Sequence, residues 1–208
     1  MRDKFADDRR TVIKDVEFEH DIEDLIQRED MVVMVTHGGY IKRVPLSTYR
    51  AQRRGGKGRS GMNTRDDDFV GRLFVTSTHM PVLFFSSKGL VYQMKVYKLP
   101  LGSPQARGKA MVNLLPLEEG EFITTVMPLP EDEESWSELY AMFSTRVGNI
   151  RRNKLSDFVN IKANGKIAMK LEDGDVLVDV QVCTEQDDVL LSTRNGMCIR
   201  SAVTDVRV

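Results

Sequence analysis

The chain has only two cysteines in 208 residues, Cys183 and Cys198, both set among apolar, strand-like residues, so no disulfide framework holds this fold together. No apolar run approaches the roughly 20 residues that a bilayer-spanning helix requires. The first ten residues, MRDKFADDRR, are charged throughout and lack the apolar core of a secretion signal. The three histidines, His20, His37 and His79, are too scattered to form a local metal motif. Neither cysteine has a neighbouring histidine or cation cluster to activate it, and both read as core residues. These absences describe a cytoplasmic chain with reduced thiols and no recognisable active site.

What the chain does have is charge sorted by position. Hydrophobic residues make up 41% and charged residues 29%, the balance of a folded globular protein, and the net charge is only −1. That average conceals a strong segregation. Residues 1–30 carry eleven acids against six bases, whereas Met31 to Gly61 hold seven bases and no acid. Phe69 to Pro116 and Leu139 to Ser156 are likewise acid-free. The acids gather instead in short clusters such as Asp66-Asp67-Asp68, Glu118-Glu119-Gly120-Glu121 and Glu172-Asp173-Gly174-Asp175. Alternation of this kind places opposite charges on different faces of one body.

The alternation follows an internal repeat. Thr36-His37-Gly38-Gly39, Ser86-Ser87-Lys88-Gly89, Thr145-Arg146-Val147-Gly148 and Thr193-Arg194-Asn195-Gly196 each place Ser or Thr three residues before a glycine. Apolar β-formers lead into each segment, and a hydrophobic residue lies two positions beyond the glycine. This is a β-hairpin pattern, with glycine at the turn position that needs positive φ. The four glycines are spaced by 50, 59 and 48 residues. An acidic turn opening a further strand recurs in phase at Asp68, Glu121 and Asp175. A basic glycine loop also recurs: Gly58, Gly108 and Gly165 lie 19, 19 and 17 residues past their hairpin glycines, beside Lys57, Lys109 and Lys166. Short strands repeating about every 50 residues predict an all-β, propeller-like array of blades. The expected units span residues 29–79, 80–137, 138–186 and 187–208.

Residues 52–61, QRRGGKGRSG, contain G-x-G-x-x-G at Gly56, Gly58 and Gly61, yet a dinucleotide site needs a helix opening directly after the glycines. The polar stretch Met62 to Asp68 offers none. A P-loop needs glycine five residues before Gly56-Lys57 and Ser or Thr after it, where this chain has Ala51 and Gly58. The cations suit a polyphosphate better. Lys and Arg neutralise backbone phosphates and release counterions, and glycines let the main chain approach closely. One such device per blade places cations around a rim that duplex DNA can follow. The competing class is a propeller-like protein-interaction scaffold whose cations dock an acidic partner.

Gln52-Arg53-Arg54-Gly55-Gly56-Lys57-Gly58 resembles, without a departure, the seven-residue box of the gyrase A C-terminal domain. His37-Gly38-Gly39-Tyr40-Ile41-Lys42, Phe84-Phe85-Ser86-Ser87-Lys88-Gly89 and Val112-Asn113-Leu114-Leu115-Pro116-Leu117 are similar to the same DNA gyrase domain. The resemblance implies a β-pinwheel of four-stranded blades, normally six, of which about four are present over residues 29–208. Residues 1–28 are then the exit from a preceding domain and a linker, with a short helical tail at Arg2 to Arg10. The resemblance further implies a non-catalytic module that wraps duplex DNA within a supercoiling enzyme. Its partners are the remainder of gyrase A and the gyrase B protein, with ATP and magnesium acting elsewhere, no membrane involved, and a nucleoid-associated location. The topoisomerase IV counterpart is the alternative, disfavoured by the complete box. Expected DNA contacts are the box itself and the rim cations Lys42, Arg43, Arg50, Arg59, Lys95, Lys98, Arg107, Lys109, Arg146, Arg151, Arg152, Lys154 and Lys166. No catalytic or metal-binding residue is assigned.

Overall fold

A computed structural model describes residues 22–49, 61–64 and 67–208. The helix expected over Arg2 to Arg10 lies outside the described residues, which contain strands, short 3-10 turns and no α-helix. Each repeat begins with a hairpin, and the first three return a third strand. Strands β1 (Asp30–Thr36) and β2 (Tyr40–Pro45) are joined by β3 (Val70–Ser77). The second repeat has β4 (Pro81–Ser86), β5 (Leu90–Lys95) and, after the two-residue β6 (Lys109–Ala110), β7 (Ile123–Pro128). The third has β8 (Tyr140–Thr145), β9 (Ile150–Lys154), the short β10 (Lys166–Ile167) and β11 (Leu177–Cys183). The hairpin of β12 (Asp188–Ser192) and β13 (Cys198–Ala202) follows.

The strand orders are β3-β1-β2-β6, β10-β5-β4-β7, β11-β8-β9 and β12-β13. Hence a repeat supplies only three strands of its own sheet. The fourth is lent by the next repeat: β6 pairs with β2 (Ile41 opposite Lys109), and β10 pairs with β5 (Val91 opposite Lys166). The repeat pattern places each basic glycine loop within its own blade, and the structure instead passes those at Gly108 and Gly165 to the sheet before, while Gly58 lies outside the described residues.

The hairpin signature has a direct physical cause. In all four turns the glycine N–H donates to the carbonyl of the Ser or Thr three residues earlier, at 3.0–3.1 Å. The same residue's hydroxyl accepts the N–H of the residue four positions on: Tyr40 to Thr36, Leu90 to Ser86, Asn149 to Thr145 and Met197 to Thr193. Gly39, Gly89, Gly148 and Gly196 all have φ between +77° and +94°, where a Cβ is strained. The acidic turns close the other side. Asp68 Oδ1 accepts Gly38 N–H (2.7 Å) and Phe69 N–H, and Asp175 Oδ1 accepts Val147 and Val176 N–H. Burial pulls Asp68 upward, but hydrogen bonds from Gly38, Thr36 and Phe69 outweigh it and hold the carboxyl below its ordinary value. Asp175 is lowered chiefly by its hydrogen bond from Thr145.

Successive sheets pack face to face, so a middle sheet buries both sides. Met31, Val33 and Val35 of the first sheet meet Val82, Phe84 and Val126 of the second. On the opposite face of β4, Leu83 and Phe85 meet Phe143, Leu177 and Val180 of the third sheet. Phe85 and Phe143 pack edge to face with centroids 5.6 Å apart. Burial on both faces explains why Val82-Leu83-Phe84-Phe85 is an unbroken apolar run without alternation. The sheets converge where their third strands meet. Arg72 of β3 pairs with Asp179 of β11 (3.0 Å) and donates to the Val126 carbonyl of β7, while Thr125 of β7 donates to Asp179 (2.8 Å). Arg72, Thr125 and Asp179 each lie four residues after the acidic turn position of their repeat. The third strands are therefore the inner edges, and the exchanged strands β6 and β10 the outer ones.

Candidate nucleic-acid interface

The outer edges are built where a crossing loop lies against the preceding sheet. Gly108 (φ +81°) and Gly165 (φ +83°) make those contacts. A Cβ on Gly108 would come within 2.3 Å of the Ile41 carbonyl oxygen, and one on Gly165 within 2.8 Å of the Tyr92 ring. Only glycine permits this approach in this conformation. Each is followed at once by an exposed lysine, Lys109 or Lys166, so the fold sets one cation on the outer edge of two successive sheets. Lys166 donates to the Asp157 carbonyl (2.7 Å) and lies over the Phe158 ring. Arg107, one residue before Gly108, stacks its guanidinium 4.0 Å from the centroid of Tyr40 in the preceding sheet.

The expected site residues fall into distinct groups. Gln52, Arg53, Arg54, Gly55, Gly56, Lys57, Gly58, Arg50 and Arg59 lie outside the described residues. Both flanks of this stretch are held by the first sheet. Tyr49 and Met62 pack with Val32 and Met34, and Asn63 N–H donates to the Gln105 carbonyl (3.1 Å) in the crossing loop of the second repeat. Asn63 is thus tied to the loop that carries Arg107 and Lys109. Lys98, Arg146, Arg151 and Lys154 are exposed. Arg146 donates to the Gly174 carbonyl at a hairpin tip, and Lys95 is engaged by Glu23 of the 3-10 turn Ile22–Leu25.

Three expected rim cations point inward instead. Lys42 is fully buried, with its ammonium donating to the carbonyls of Ser103 (3.2 Å), Pro104 and Ala106 (2.8 Å). Burial pushes its pKa below the ordinary lysine value. Arg43, half-buried, donates from Nε to Leu99 (2.9 Å) and from its terminal nitrogen to Tyr97 (3.1 Å). Arg152, buried, donates from Nε to the Val206 carbonyl (2.9 Å) and stacks on Tyr140. Gln93 does the same work in the second sheet, reaching Val159 (3.1 Å). Arg43, Gln93 and Arg152 all lie four residues after a hairpin glycine and tie each hairpin to the chain that crosses it. The position alone does not mark this role, because Arg200, four residues after Gly196, is exposed and pairs with Asp188.

Sequence reasoning missed Tyr40, the platform for Arg107, and Lys162, an exposed cation in the third glycine loop. Lys162 was legible, since it lies three residues before Gly165. Cys198, expected in the core, is exposed on β13, while Cys183 is half-buried and pushed up first by burial and then by Asp187.

A family model described as the DNA gyrase C-terminal domain, a beta-propeller, matches residues 30–77, 81–130, 140–184 and 187–208. The chain is 56% identical over its full length to the DNA gyrase A protein of Rickettsia bellii and 44% identical over 98% of its length to that of Escherichia coli. It spans 23% of the length of each of these relatives. A solved DNA gyrase A C-terminal domain superposes with a TM-score of 0.61 at 26% identity, covering 86% of this chain and 57% of that one. The C-terminal domain of DNA topoisomerase IV shares the fold, with a TM-score of 0.74 at 24% identity over 88% of this chain and 55% of that one. Repeated hairpins, exchanged outer strands and these matches together establish that the chain belongs to the family of DNA gyrase A C-terminal domains.

Proposed function

We propose that this chain is the DNA-wrapping module of a gyrase, bending duplex DNA along the outer edges of its sheets so that the complete enzyme introduces negative supercoils. The observation that carries the reading is the recurrence of a glycine-lysine pair on an exchanged outer strand, at Gly108-Lys109 and again at Gly165-Lys166. Backbone phosphates follow such an edge without base readout, and affinity falls steeply with salt. Bending tens of base pairs costs several kcal/mol, which distributed phosphate contacts offset. The residues on either side of the box, Tyr49 and Asn63, lie against the first sheet and its crossing loop. The module carries no chemistry of its own. ATP, magnesium, the strand-cleaving residues and the gyrase B protein belong to the rest of the enzyme. The relatives at 44–56% identity favour gyrase over topoisomerase IV.

In the complete enzyme, Arg53→Ala/Arg54→Ala/Lys57→Ala should abolish negative supercoiling while sparing ATP-dependent relaxation. Supercoiling at the unaltered rate would overturn the reading of the box.

A further inference from the structure

The expectation that Lys42 contacts phosphate fails because nothing of it reaches the surface, and this raises the question of what a buried, unpaired lysine does. No carboxylate approaches its ammonium among the described ion pairs. Its charge is satisfied by three main-chain carbonyls from one short segment of another repeat, Ser103, Pro104 and Ala106. Carbonyl dipoles turned toward one point repel each other, so this segment holds its curl only around a cation. The remaining carbonyl of the segment, Gln105, accepts Asn63 N–H at the downstream flank of the box. The segment leads directly into Arg107, stacked on Tyr40, and Lys109, paired with Ile41. The second sheet has a corresponding seat. Tyr92 holds the same place three residues after its hairpin glycine and packs under Gly165, next to Lys166.

We propose that Lys42 is a positioning residue for DNA binding: its buried ammonium folds Ser103 to Ala106 around itself, which presents Arg107 and Lys109 to the duplex and fixes the downstream flank of the box. The inference rests on the DNA-wrapping reading and assigns Lys42 no contact with DNA.

The test is binding of the full-length gyrase A protein to linear duplex DNA across a salt series. Arg107→Ala/Lys109→Ala removes two phosphate contacts and should make the slope of log K against log salt shallower by about 1.8. Lys42→Met should produce a shift of the same size although it removes no surface charge. Combining all three substitutions should add nothing further, since groups acting through one another are non-additive. A wild-type slope in Lys42→Met, or full additivity in the triple variant, overturns the inference. If Arg107→Ala/Lys109→Ala itself leaves the slope unchanged, the outer-edge reading fails and this inference falls with it. Should Lys42→Met not fold, Gly108→Ala lifts the same loop while retaining Lys42, because its Cβ would press on the Ile41 carbonyl. It should reproduce the shallower slope, and a wild-type slope there overturns the inference equally.

Discussion

The inner and outer edges of the same sheets use charge in opposite ways. On the inner side Arg72, Thr125 and Asp179 form a closed network in which cation, hydroxyl and carboxylate answer one another. On the outer side Lys109 and Arg107 come from an acid-free stretch and take part in no described salt bridge; Arg107 stacks on Tyr40, and the one carboxylate near it, Asp68, is already held by main-chain N–H groups. A neutralised edge can hold sheets together, whereas an edge left cationic attracts phosphate. The two edges of a sheet are supplied by successive repeats, so the contrast separates stability from binding within a single sheet.

The largest effect should come from breaking the inner edge. Asp179→Ala leaves the Arg72 guanidinium without its carboxylate and Thr125 without an acceptor. It should lower stability by about 1 kcal/mol, discounted because both partners are more than a third exposed. Denaturant titration measures this, and the salt slope of DNA binding should not change. On the outer edge the pattern reverses. Lys109→Ala or Lys166→Ala should leave the denaturation midpoint in place and make the slope shallower by about 0.9 each. A large loss of stability from either lysine substitution would erase the contrast.

The smallest effect is acid sensitivity of the hairpin clamps. Asp68 and Asp175 are held below the ordinary carboxylate value in the folded chain. Their contribution is therefore fully present above the unfolded value, about 3.9, and is lost as pH falls through their lower folded values. Thermal melts from neutral pH down into the acid range should show that Asp68→Asn/Asp175→Asn flattens this acid limb. An unchanged acid limb would mean that the clamps do not titrate as described.

Much of this organisation is legible in the sequence. The Ser/Thr-x-x-Gly turns announce all four hairpins because hydroxyl, carbonyl and positive-φ glycine are each required locally. The basic glycine loops also announce the outer-edge strands that begin at Lys109 and Lys166. What stays hidden is set by contacts distant in sequence. Pairing of β2 with β6 joins Ile41 to Lys109, far apart along the chain, and no local pattern marks it. The acidic turns read only as charge clusters that open a further strand, yet Asp68 and Asp175 are acceptors for main-chain N–H groups in a neighbouring hairpin. Lys42, Arg43 and Arg152 read as rim cations because burial depends on which segment crosses them, not on their own neighbours.

The most direct test of the central claim is ligation of nicked circular DNA in the presence of the full-length gyrase A protein, followed by resolution of the topoisomers. The account predicts a shift of the linking-number distribution away from that of protein-free DNA, reduced by Lys109→Ala/Lys166→Ala. A distribution identical to that of protein-free DNA, under conditions where binding is saturated, would contradict it.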